Sequence, residues 1–88
     1  MRHSSHPEII KRLRRAEGHL RAVIAMTDHG KPCVDIAQQL YAVEAAISKA
    51  KNELIHDHIE HCLEAATNGD GRSPRETLAE FKAIAKYL

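Results

Sequence analysis

A chain of 88 residues suffices for one small domain, 1–88, and a domain of that size covers only a modest share of its own surface. With 13 Lys and Arg against 12 Asp and Glu and 43% hydrophobic residues, the composition excludes a disordered tail. No apolar run approaches the ~20 residues that a membrane span requires, and residues 1–10 hold no apolar signal core, so a cytoplasmic location is expected. The aromatic residues are Tyr41, Phe81 and Tyr87 alone, so the core must be aliphatic, which favours helices over strands.

The charge is unevenly spread. Residues 1–31 carry Arg2, Lys11, Arg12, Arg14, Arg15, Arg21 and Lys31 against Glu8, Glu17 and Asp28, a balance of +4, whereas residues 32–88 stand at −3. A basic end is a candidate contact surface for a polyanion, although a charge run is more often a solvated helix face.

The first helix is expected over about 6–28. Ser5 stands as a cap with Glu8 three residues on, and Pro7 is tolerated in the first turn. Ile9, Leu13, Ala16, Leu20, Val23 and Thr27 recur at steps of 3 and 4, one stripe of an amphipathic helix. Gly18 inside that helix costs ~1 kcal/mol in propensity, which a close helix–helix approach would explain. Gly30 suits a left-handed C-terminal cap, and Pro32 opens the next helix.

The second helix is expected over about 32–67, with neither Gly nor Pro from Cys33 to Asn68. Its seam runs Cys33, Ile36, Leu40, Val43, Ile47, Ala50 and Leu54, then His58 and Cys62, a heptad-like line for packing on other helices. A long helix of this kind cannot be covered by one copy, so an oligomer is expected. Asn68-Gly69-Asp70-Gly71 ends it. Ser73-Pro74-Arg75-Glu76 is a capping box that starts a third helix, about 74–87. The fold class is therefore all-α, with a three-helix protomer.

The chemistry concentrates on that seam. His58 and Cys62, four residues apart, project from one helix face as a two-ligand clamp for a soft or borderline metal. Cys33 lies on the same line 25 residues before His58, roughly 38 Å away along a straight helix. The three meet only if two copies of the helix pair antiparallel, with the two-fold axis near Ile47, which makes two equivalent sites. Each residue alone is more often a packed thiol or a hydrogen-bonded ring; the three at seam positions point to metal or redox sensing. Two thiolates and one imidazole suit trigonal Cu(I). A fourth donor from His3, His6 or the N-terminal amine would suit Ni(II), and Zn(II) stays open. His19, His29, His56 and His61 are expected at the surface.

With KRLRRAEGHLRAV (11–23), PCVDIAQQLYAVEAAISKA (32–50) and HDHIEHC (56–62) in place, the chain resembles the copper-sensing operon repressor family, which also includes nickel/cobalt and formaldehyde sensors. The resemblance implies dimers with an antiparallel four-helix core, a tetramer (a dimer of dimers), and operator-DNA binding without a helix-turn-helix. It implies that the metal-free protein represses and that metal binding weakens its hold on DNA, derepressing efflux or resistance genes. By position it assigns Cys33, His58 and Cys62 as metal ligands, Arg12 and Lys49 to DNA binding with Arg14 and Arg15 extending that surface, and Glu76 or Glu80 to support of the ligands. Pro32 stands where copper sensors often have Tyr. His3 and His6 match the N-terminal donors of nickel and cobalt sensors, so Ni(II) or Co(II) stands as the alternative to Cu(I). A formaldehyde or thiol-reactive sensor of the same family is a further alternative, though Arg2 and Cys62 depart from the formaldehyde branch. A helical metal buffer without DNA binding is the competing class, and the Lys11–Arg15 cluster argues against it. No oxyanion-hole loop or Gly-rich phosphate loop is visible, so an enzyme is not expected.

Overall fold

The computed structural model describes residues 5–68 and 73–88, except for the side chains of 65–68. His3 and the glycine-rich stop at 69–71 therefore lie outside the described residues. Three helices follow in chain order: α1 (His6–Asp28), α2 (Cys33–Asn68) and α3 (Pro74–Ala85). There is no strand among the described residues.

The boundaries follow from local chemistry. At the end of α1, Gly30 adopts φ 69°, Gly30 N donates to the Thr27 carbonyl and Lys31 N to the Met26 carbonyl. That double closure satisfies two terminal carbonyls and needs a residue free of a Cβ clash. The Pro32 carbonyl accepts from Ile36 N at 3.1 Å, which sets the start of α2 at Cys33, one residue later than expected. At α3, Ser73 is extended and its Oγ accepts from Glu76 N at 3.1 Å, with Pro74 in the first turn, as the motif predicts. Loss of this cap in Ser73→Ala should cost about 1 kcal/mol, read as faster amide hydrogen exchange across α3.

The cap expected at α1 does not form. Ser5 is already helical (φ −82°, ψ −12°), so its hydroxyl makes no cap bond, and Oγ is enclosed without a hydrogen-bond partner. A cap needs extended backbone to swing its side chain over the exposed N–H groups.

Helices α1 and α2 run antiparallel: His19 meets Gln39 near the turn, and Arg12 meets Glu53 further along. From α1, Ile9, Ala16 and Val23 are buried, a seven-residue repeat; from α2, Val43, Ala50, Ile55 and Cys62 are buried. Gly18 is exposed and an added Cβ there would meet nothing within 4 Å, which corrects the expected close approach. Two residues beyond Ala16, it points to the opposite side of α1.

The seam of α2 splits in two. Ile36, Val43 and Ala50 turn inward, whereas Cys33, Leu40, Ile47 and Leu54, also spaced by seven, are exposed, the last three at 40%, 45% and 37%. Leu13, Leu20 and Ile24 of α1 are exposed as well, and Leu20, Ile24 and Leu40 line one shallow groove across the two helices. The protomer measures 57 × 23 × 13 Å, thin enough that one face of its own apolar side chains stays uncovered.

Candidate metal centre

The last turns of α2 present His58 and Cys62 on one face, and α3 folds back to lay Glu80 beside them. A donor atom from each of the three lies within 4.8 Å of the others. The Cys62 thiol donates to Glu80 Oε2 at 3.5 Å. Cys62 is 2% exposed, while His58 and Glu80 are half-buried. A shallow groove lined by His58, Glu80, Ala83, Ile84 and Tyr87 opens beside the cluster.

The packing of α3 places Glu76 and Glu80 in different surroundings. Glu76 is exposed in the first turn, where its N–H is held by Ser73. Glu80, one turn later on α3, faces α2 and touches Cys62. One sulfur, one imidazole nitrogen and one carboxylate fit a borderline divalent ion outright, and the sulfur and nitrogen are two-thirds of a trigonal Cu(I) set.

Cys33 is exposed in the first turn of α2 and both cysteines are free thiols. Within one chain, the unbroken α2 keeps Cys33 from His58 by roughly 38 Å of helix. His6 is half-buried and partnered at the start of α1 and is not among the three clustered donors.

Of the basic residues, Arg14 and Arg15 are exposed on α1 and Lys49 on α2. Arg12 is half-buried, its Nε 2.9 Å from Glu53 Oε2. Lys49 precedes Glu53 by four residues and so shares its face. Two partners were not foreseen: Glu53 for Arg12, and Gln39 for His19. His19 was expected at the surface but is half-buried, with Nε2 donating to Gln39 Oε1 at 2.6 Å across the helix interface. His61 is likewise half-buried and partnered rather than free at the surface, whereas His29 and His56 are exposed as expected.

The protomer is all-helical among the described residues, and a thiol, an imidazole and a carboxylate meet at a helix–helix junction as a donor set of the kind that metal-binding proteins use. The metal-sensitive transcriptional repressor family matches residues 5–87, and the chain belongs to it. It is 38% identical over 81 residues to the copper-sensing transcriptional repressor CsoR of Bacillus subtilis, covering 90% of this chain and 80% of that one. It is 36% identical over 78 residues to the copper-sensing transcriptional repressor RicR of Mycobacterium tuberculosis, covering 89% and 81%. Among solved structures, the nickel-responsive transcriptional regulator InrS superposes with a TM-score of 0.85 at 28% identity, over 99% of this chain and 96% of that one. These relatives are transcriptional regulators rather than enzymes. Among the described residues, no helix is long and apolar enough to cross a membrane.

Proposed function

We propose that this single-domain chain is a cytoplasmic repressor that holds operator DNA when metal-free and releases it when Cu(I) binds between two copies. The site joins Cys33 of one copy to His58 and Cys62 of another, and derepression serves metal efflux or resistance genes. The observation that carries this reading is the pairing of two preset donors at one end of α2 with an exposed thiol at the other.

The exposed line Cys33, Leu40, Ile47 and Leu54 supports an antiparallel dimer. Two copies pairing along it about a two-fold near Ile47 bring each Cys33 to the His58–Cys62 end of the other. The exposed face shared by Leu20, Ile24 and Leu40 extends the same contact to α1, which makes a four-helix core. Two such dimers would form a homotetramer that presents four copies of the basic α1 surface to DNA.

Two sulfurs and one nitrogen favour Cu(I), and two relatives are named copper-sensing. Ni(II) or Co(II) is the alternative, supported by the nickel-responsive structural neighbour; Glu80, or His3 or His6 from the N-terminus, would complete that set. A bound metal supplies a Lewis acid that holds Cys62 as thiolate. With the thiol proton released to solvent, Cys62 would no longer donate to Glu80, and the carboxylate would be left to accept from the second ring N–H of His58. Such a change would alter the tie between α2 and α3 and, through α2, the spacing of the basic α1 surfaces. Coupling of ~1–3 kcal/mol is typical of such linkage.

Titrating the reduced protein with Cu(I) and Ni(II) under competition, while following a labelled operator duplex by anisotropy, tests the reading. Cu(I)-specific release independent of His3 and His6 supports it; a four-coordinate Ni(II) spectrum lost in His3→Ala or His6→Ala replaces copper by nickel. Glu80→Gln should lower metal affinity about 10–100-fold, as loss of a ligand's outer partner does. Arg14→Ala/Arg15→Ala should weaken DNA binding and reduce its salt slope by about 2, one per phosphate contact, with metal affinity unchanged. DNA binding that survives both substitutions at full strength removes these arginines from the interface.

A further inference from the structure

We propose that Glu53 is a positioning residue for DNA contact: it holds Arg12 by Nε and leaves the two Nη groups of the guanidinium to grip a phosphate. The inference rests on the reading of this chain as a DNA-binding repressor and assigns a role to an acidic residue that sits inside its basic surface.

The geometry is specific. Arg12 Nε and Glu53 Oε2 are 2.9 Å apart, and both atoms are shut off from water, although the two side chains are 30% and 37% exposed. The contact is an ion pair that lacks the alignment of a hydrogen bond. Among the described residues, no other ion pair or hydrogen bond involves Arg12. The carboxylate therefore takes the guanidinium at its inner edge, and the Nη fork is not used by the protein. A planar fork of that kind matches phosphate oxygens two at a time.

The surroundings are cationic. Arg15 follows Arg12 by three residues on α1, and Lys49 precedes Glu53 by four on α2, so both share the face of the pair; both are exposed. One carboxylate among three cations leaves a surface that still attracts a polyanion. A half-exposed ion pair contributes little to folding, so stability does not account for a negative charge at this place. Holding a long side chain in one orientation does: an arginine ordered beforehand loses less freedom when it meets its phosphate.

A double-mutant cycle tests this, with apo-protein and a labelled duplex selected from a random pool by the wild-type chain. Glu53→Ala should weaken binding roughly 2- to 10-fold, the cost of ordering one long side chain. In an Arg12→Ala background, the same Glu53→Ala change should have no effect, because there is nothing left to orient. Arg12→Ala alone should lower the salt slope by about 1. Glu53→Ala binding as tightly as wild type, or more tightly, overturns the proposal and makes Glu53 a bystander or a competitor of the phosphate. An equal loss with and without Arg12 overturns it too, since the effect is then on the fold. If the wild-type chain enriches no duplex at all, the DNA-binding reading itself fails.

Discussion

Cys33→Ala is expected to leave operator binding by the metal-free protein at wild-type strength and to abolish its release by Cu(I). The folding side of this expectation is simple. Cys33 is exposed in the first turn of α2, and a surface substitution of this kind is usually within about 0.5 kcal/mol of neutral. The metal side is severe. One of two soft donors disappears, and Cu(I) affinity should fall by more than about 100-fold, beyond what loss of an outer partner costs. Cys62→Ala removes the other sulfur but at a different price in stability, because Cys62 is 2% exposed and packs against α3. The two variants also report where the site is built. Mixed and refolded, they pair in some dimers so that Cys33 of one chain meets His58 and Cys62 of the other. Random pairing restores about a quarter of the sites across a two-fold. A mixture that regains no Cu(I) binding shows that the thiols do not meet between copies.

Sequence reasoning succeeded where the determinants are local. Gly30, Pro32 and the Ser73-Pro74 pair mark helix ends through backbone chemistry that acts within a few residues, and the structure places the ends within one or two residues of expectation. The His58–Cys62 spacing is likewise legible, because four residues along a helix put two side chains on one face. Ser5 is the local failure: residue type and spacing signal a cap, but the backbone there is helical and cannot use it. The remaining gaps are tertiary. Glu80 could not be separated from Glu76 without knowing which face of α3 meets α2. Glu53 and Gln39 became visible only with the register of α1 against α2. The seam of α2 reads as one line, yet its alternate members face two ways: Ile36, Val43 and Ala50 turn inward, and the other set is left outside.

That outward set makes Ile47→Glu the most disruptive surface change expected in this protein. Ile47 is 45% exposed in the protomer and lies about midway between Cys33 and Cys62, where the proposed two-fold axis passes. Two copies of the substitution would face one another across that axis. Each forgoes burial of the 45% of Ile47 that the protomer leaves exposed, about 1 kcal/mol, and each brings a carboxylate into an otherwise apolar contact. Together these losses raise the dimer dissociation constant by several orders of magnitude, so light scattering should report a monomer at concentrations where the wild type is assembled. The monomer keeps little to hold it together: among the described residues seven are buried hydrophobics, and Ile55 has the largest fully buried side chain. Thermal unfolding should therefore lose cooperativity and become independent of protein concentration. Metal binding separates the two kinds of site. Cu(I) affinity should collapse with the assembly, because Cys33 no longer reaches His58 and Cys62, whereas weak binding of a divalent ion by His58, Cys62 and Glu80 needs one chain only and should persist wherever that chain stays folded. An Ile47→Glu protein that remains assembled and binds Cu(I) as tightly as the wild type would place the dimer contact on another face and the Cys33 thiol outside the sensor.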